Sequence, residues 1–179
     1  MNSPMFDEVG VVPGKPYVYG DWKSYAVHDE NNVKGFFGEY RWLSNFQLAT
    51  IMYDGLVYPS TENAYQAAKI LPEHRVNLTT CKPYESKKIW KKYPLVDADA
   101  AAWDARKHRV MRDITLEKYL SHPALEGKLL ATGEKHLEEL NHWGDVYWGV
   151  DIRKGGENNL GVILMKLRKF LREREKFML

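Results

Sequence analysis

The stretch YPSTENAYQAAK, residues 58–69, decides how the chain is read. Its first residues end an extended segment, and the rest suits a helix. Ser60 or Thr61 can accept a free backbone N–H of the first turn, and alanines follow. Pro72 limits the run, because the residue before a proline is pushed out of the helical region. The spacing therefore predicts a helix near 61–71. On that helix Glu62, Gln66 and Lys69 share one face, with Tyr65 at its edge. Ala64, Ala67, Ala68 and Leu71 take the opposite face. Two readings follow. In one, the alanine face is buried and the polar face is wet. Glu62 then gains roughly 0.3–1 kcal/mol from the helix dipole without any function. In the other, the carboxylate and the amine, about 10 Å apart along the axis, grip one ligand. Such a pair would suit glycosidic chemistry: a carboxylate stabilises an oxocarbenium-like sugar, and a lysine captures the freed anomeric carbon as an imine.

Upstream, IMY and LVY flank Asp54-Gly55, a strong hairpin signal. Residues 1–34 are broken by Pro13, Pro16, Gly10, Gly14 and Gly20 and carry Tyr17, Tyr19 and Trp22. They read as an irregular arm or a short hairpin. Downstream the pattern predicts a short helix over 83–92. A longer helix follows, capped by Asp97 or Asp99, with Trp103, Val110, Met111 and Ile114 at helical spacing. A fourth helix starts at Pro123 and ends at Gly133. Residues 136–151 suit short extended segments. The last helix runs from about Asn158 to Lys176. Its apolar stripe is Leu160, Ile163, Leu164, Leu167 and Leu171, and its outer face is Lys166, Arg168, Lys169 and Arg172. The fold class is α+β: a helix-dominated single domain over 35–179 with a small hairpin and short strands, preceded by the arm.

A chain of 179 residues can bury a substantial core without staples. Cys81 is its one cysteine, which excludes an internal disulfide and suits a reducing compartment; it reads as a packing residue. No secretion signal and no run of about 18 apolar residues is present, so no membrane partner is expected and the cytoplasm is the expected location. The formal net charge of +2 is too small to argue for nucleic acid by itself. Basic residues cluster locally in KKIWKK (87–92) and KLRKFLRERE (166–175), either as solvated faces or as phosphate contacts. Aromatics reach 13%, with six Trp and eleven Tyr, and can serve as core or as stacking surface.

WGVDIRKGGENNLG (148–161) is a second constellation. Gly155 and Gly156 before a helix start offer an anion site; an ordinary loop capped by Asn158 or Asn159 reads equally well. It is neither a P-loop nor a GxGxxG. The six histidines form no HExxH or Cys-His pattern, and no GxSxG marks a serine nucleophile, so no metal or cofactor is expected.

Several segments together resemble the NADAR (YbiA-like) family over about 35–172. They are GEYRWLSNF (38–46), the DG pair with aromatics (53–58), STENAYQAAK (60–69) and W-D-x-x-K-x-x-V-M (103–111). L-x-A-T-G (129–133), D-x-Y-W-G-x-D (145–151) and G-x-N-x-LG (156–161) complete the set. The resemblance implies N-glycosidase chemistry at a ribose C1–base nitrogen bond. Two substrate classes go with it: ADP-ribose on guanine in nucleic acid, and phosphorylated ribosylaminopyrimidine intermediates of riboflavin biosynthesis. It places Glu62 on the family's essential glutamate and Lys69 on its helix lysine. Trp103 and Trp148 fall on its pocket tryptophans, Asp151 on the following acidic residue, and Ser44 and Asn45 on a turn near the sugar–phosphate. Arg41, beside that turn, is an expected phosphate contact. Asn63 and Ala64 depart from the histidine and aromatic that many members carry there, a change expected to alter substrate choice. The expected activity is metal-free removal of ADP-ribose from guanine in DNA. The alternatives are the riboflavin intermediates, or a non-catalytic ADP-ribose or nucleotide reader. On the catalytic reading, Glu62 is expected to be buried and near both indoles.

Overall fold

The computed structural model describes residues 21–97 and 99–178, without an account of the side chains at 175, 177 and 178. Strands β1 (Val27–His28), β2 (Asn32–Lys34), β3 (Leu48–Tyr53) and β4 (Leu56–Ser60) precede helices α1 (Thr61–Ala67), α2 (Pro83–Ile89), α3 (Ala100–Leu120) and α4 (Pro123–Ala131). Strands β5 (His136–Glu138), β6 (Leu140–Asn141) and β7 (Val150–Asp151) and helix α5 (Asn159–Met178) complete the chain. Short 3-10 turns lie between them, including Gly38–Leu43 and Trp90–Lys92. This is a helix-dominated α+β fold with small sheets. Backbone proximity divides it into two compact units. Of the described residues, one comprises 21–40 together with 132–178; the other is Arg41–Ala131.

In the Arg41–Ala131 unit, the β3–β4 hairpin turns at Asp54 and Gly55 with φ of 49° and 77°. Both central residues are left-handed, the geometry that matches strand twist, and Gly55 adopts it without a Cβ penalty. Ser60 then caps α1, its Oγ accepting from the Asn63 amide at 3.2 Å. The helix stops at Ala67, earlier than Pro72 suggests. The reason is a competing segment. Val96 N–H donates to Lys69 O at 2.9 Å, Leu71 N–H donates to Pro94 O at 3.1 Å, and Ile70 bridges Leu95. Residues 69–71 thus bond to a strand-like segment some 25 positions on.

No face of α1 is wet. Thr61, Glu62, Asn63, Ala64, Tyr65, Gln66 and Ala67 are all buried, with α2, α3 and the hairpin packed around them. The picture of an alanine face inside and a polar face in water is therefore overturned. Asn63 shows how the polarity is tolerated. Its Nδ2 donates to Leu78 O and Cys81 O at 2.9 Å each, and its Oδ1 accepts from Ser60 Oγ at 2.6 Å. This residue ties α1 to the turn before α2, so its departure from the family pattern has a structural use. Asn63→Ala removes the amide donor shared by the Leu78 and Cys81 carbonyls and is expected to cost about 2–3 kcal/mol, read as a lower urea midpoint with an unchanged m-value.

Asp99, not Asp97, caps α3, accepting from Ala102 N–H at 2.8 Å. In α3, Val110, Met111 and Ile114 face the core as expected.

In the other unit, β1 and β2 form an antiparallel pair, and β2 continues into a parallel pairing with β5. Helix α5 packs on β5, and its stripe of Leu160, Ile163, Leu164, Leu167 and Leu171 is buried. Asn158 joins the two: its Nδ2 donates to Leu137 O at 2.9 Å and its Oδ1 accepts from Glu139 N–H at 3.1 Å. The outer face of α5 needs one correction. Arg168 is only 4% exposed. Its guanidinium donates to Thr132 Oγ1 at 2.7 Å and Lys135 O at 2.9 Å, which offsets the cost of burying the charge. Among the described residues no helix is long and apolar enough to cross a membrane. Of the expected N-terminal arm, residues 1–20 lie outside the described residues.

Candidate active site

Within the Arg41–Ala131 unit, α1 supplies a carboxylate that is 5% exposed, that of Glu62. Gln66, one turn on, donates from Nε2 to Glu62 Oε1 at 2.7 Å. The Oε1 of Gln66 is itself buried and has no hydrogen-bond partner among the described residues. A carboxylate bonded by the Gln66 amide and lying beside that carbonyl acceptor is suited to a ligand bearing hydroxyls.

The turn carrying Ser44 and Asn45 meets this helix start directly. Asn45 O accepts the Glu62 amide at 3.0 Å, and Ser44 Oγ accepts the Phe46 amide at 3.2 Å. The same turn rests on a residue that sequence reasoning missed. Lys118, 1% exposed in α3, donates from Nζ to Trp42 O at 2.7 Å and Ser44 O at 3.0 Å. Nothing in a helical pattern distinguishes a lysine that reaches inward from one in water. Arg41 opens this segment with its side chain exposed.

Lys69 follows the end of α1, and its Nζ lies among aromatic faces. It is 4.9 Å from the Tyr65 ring, 4.6 Å from Trp90 and 5.5 Å from Trp103. Trp103 also stands 5.3 Å from Tyr65, and the Arg106 guanidinium lies 4.7 Å from its ring. Arg106 is held by both oxygens of Asp97, at 3.0 and 2.9 Å, and donates to Ala68 O at 2.7 Å. Burial brings the Lys69 amine down from 10.5 to about 8. Glu62 opposes that shift, while Lys87, Lys91 and Lys107 add to it. A neutral amine is thus available near neutral pH, as a nucleophile requires.

The lowered value also makes stability depend on pH. Between about 8 and 10.5 the unfolded chain keeps a proton that the folded chain has released, so folding is favoured as pH rises through that window. The stability of wild type relative to Lys69→Met is expected to climb by up to about 3 kcal/mol from below pH 8 to above pH 10.5. Paired urea titrations at several pH values measure it, and a flat difference contradicts the lowered amine.

Trp148 and Asp151 belong to the other unit and are described there. Trp148 is half-buried, set edge-on to Tyr147 at 4.8 Å, with its amide donating to Asp145 Oδ1 at 2.9 Å. Asp151 is fully buried, and its oxygens accept from the amides of Gly144 at 2.8 Å, Arg153 at 3.0 Å and Lys154 at 3.2 Å. Burial pushes this carboxyl up, but those amides and the Arg153 guanidinium outweigh it and hold it below the ordinary range. The carboxylate organises its loop. The glycine-rich loop differs from the anion site considered above. The amides of Glu157, Asn158, Asn159 and Leu160 donate to the carbonyls of Val146, Gly149, Tyr147 and Trp148. Those donors are spent on the loop that carries Trp148.

Of the expected residues, the structure brings together Glu62, Lys69, Trp103, Ser44 and Asn45 in one unit. It adds Gln66, Trp90 and Lys118, which the sequence did not single out as site residues. Trp90 had a faint signal, one indole inside a run of four lysines.

Fold and side chains together define an α+β protein with a buried carboxylate on a short helix and a lysine under aromatic rings. The NADAR domain family matches residues 28–172, and the chain belongs to it. Over 142 residues it is 32% identical to the N-glycosidase YbiA of Escherichia coli (strain K12), covering 74% of this chain and 82% of that protein. The solved NMR structure of YbiA superposes with a TM-score of 0.70 at 29% identity, over 84% of this chain and 90% of that one. A riboflavin biosynthesis protein of Vibrio vulnificus (strain YJ016) is 32% identical over 136 residues, or 73% of this chain. This chain spans 35% of that protein's length.

Proposed function

We propose that this chain is an N-glycosidase that hydrolyses a ribose C1–base nitrogen bond, with ADP-ribosylated guanine in DNA as its substrate. The observation that carries the reading is the buried Glu62 carboxylate, held by Gln66 and within electrostatic range of the Lys69 amine. As the bond to the base stretches, positive charge develops at C1, and a buried carboxylate stabilises it strongly because little water screens it. Glu62 takes a proton from the water that adds to C1 and passes it to the departing base nitrogen, so that the base leaves neutral and the carboxylate is restored. Gln66 Oε1 accepts a ribose hydroxyl. Lys69 either fixes a second hydroxyl or adds to the opened sugar's C1 as an imine that water later hydrolyses. Trp103 stacks on base or ribose.

The exposed lysines 87, 88, 91 and 92 favour a polyanion, since two of them act electrostatically on Lys69. The name of the Vibrio relative favours the second reading, a phosphorylated ribosylaminopyrimidine. A mass-spectrometric time course with both substrates separates them. Loss of the ADP-ribosyl mass from a guanine-modified single-stranded oligonucleotide supports the first reading. Turnover of the small molecule alone supports the second. Binding of the oligonucleotide without product, even at excess protein, leaves a non-catalytic reader.

A further inference from the structure

We propose that Trp90 is a positioning residue for Lys69, closing an aromatic cage with Tyr65 and Trp103 that keeps water from the amine and aims it. This deepens the N-glycosidase reading and rests on it for the lysine's chemical use. The cage itself stands on geometry.

The three rings come from three separate elements. Tyr65 is on α1, Trp103 in the first turn of α3, and Trp90 opens the 3-10 turn Trp90–Lys92 after α2. Of the three, Trp90 lies nearest Nζ, at 4.6 Å from its centroid against 4.9 and 5.5 Å for Tyr65 and Trp103. An ammonium within about 6 Å of a ring centroid is attracted to the face. Three such faces around one ammonium replace much of the hydration that burial removes. A flexible four-carbon stem would otherwise sample many rotamers, so the rings also restrict where Nζ points.

Trp90 is the wall carried by a short 3-10 turn rather than by an α-helix. Trp103 is covered by the Arg106 guanidinium, which Asp97 and Ala68 O hold in turn. Tyr65 is 5% exposed within α1. Trp90 is only half-buried, on the turn that also carries Lys91. The charges that act on Lys69 are Glu62 from α1, Lys87 from α2, Lys91 from the 3-10 turn and Lys107 from α3, with Arg106 stacked behind Trp103. Three of the four lower the affinity for a proton, and desolvation lowers it most. Opening the cage at Trp90 removes one ring attraction, which alone would lower proton affinity, but it admits water, which solvates an ammonium better than a ring face does; relief of desolvation, the largest cause, therefore wins and returns the amine toward its ordinary value of 10.5.

The test is competitive acetylation of the intact protein over pH 6–11, read at Lys69 by peptide mass spectrometry, for wild type, Trp90→Ala and Trp90→Phe. Circular dichroism confirms that each is folded. Wild type is expected to titrate near 8. Trp90→Ala is expected to move the Lys69 midpoint up by about one pH unit or more, which cuts the neutral fraction near pH 7 about tenfold. Trp90→Phe is expected to recover at least half of the shift, a rescue that a loss of generic packing would not produce. Trp90→Gln, which keeps bulk but presents a polar end in place of a ring, moves the midpoint the same way if the alanine variant is too unstable. An unmoved or lowered midpoint in Trp90→Ala or Trp90→Gln, or no recovery by Trp90→Phe, overturns the cage. Because labelling needs no substrate, an absence of turnover in wild type sinks the glycosidase reading without touching this result.

Discussion

Glu62→Gln is expected to lower turnover of the ADP-ribosylated oligonucleotide by about a thousandfold while leaving its binding within a few fold of wild type. The magnitude lies within the roughly 10²–10⁴ that a positioned acid–base group supplies, to which loss of a buried charge at the developing cation adds. The substitution is conservative for the fold. The Gln66 amide now donates to Glu62 Oε1, and a glutamine carbonyl at position 62 can accept the same bond. The bond from the residue 62 amide to Asn45 O involves only backbone and is kept. A carboxamide carries no negative charge, and it is a poor base for water. Single-turnover kinetics with a parallel binding titration measure both quantities. Equal losses in binding and in turnover would mean that the carboxylate only grips the ligand, and Lys69 would then have to carry the chemistry.

The second large effect is on stability. A methyl group at position 161 would run into the carbonyl oxygen of Leu137 and both polar atoms of the Asn158 amide. Neither can yield cheaply. Leu137 is the central residue of β5, in register with Val33 of β2, and Asn158 is pinned to the carbonyl of that residue and to the amide of Glu139 just past the strand. Helix α5 would have to lift from β5, exposing part of its buried apolar stripe. Gly161→Ala is therefore expected to cost about 3 kcal/mol or more, at the upper end of overpacking effects. Gly127→Ala is the control. It is an exposed position of helix α4, where a Cβ meets nothing within 4 Å, so the alanine should stabilise by about 0.5–1 kcal/mol. Urea unfolding of the three proteins side by side measures this; equal behaviour of the two variants would rule out the close approach of α5 to β5.

What could be read in the sequence were the features that a few neighbouring residues encode. The Asp54-Gly55 hairpin, the Ser60 cap, the long α3 and the leucine stripe of α5 all depend on local propensity, capping and period. Each appears where those rules place it. The family motifs likewise pointed to Glu62 and Lys69 together.

The tertiary structure decided what local rules leave open. Helix α1 ends at Ala67 because residues 94–96 arrive to take the backbone of 69–71. Asn63 and Arg168 were indistinguishable from surface residues until distant carbonyls and a hydroxyl came within hydrogen-bond distance. The amides before α5 looked free for an anion until the loop carrying Trp148 folded onto them. The sequence by itself determined the elements and named a carboxylate and an amine. Only long-range packing decided that the carboxylate is buried and that Trp90 faces the amine. The cost of burying a polar group depends on partners far along the chain, and no local pattern records them.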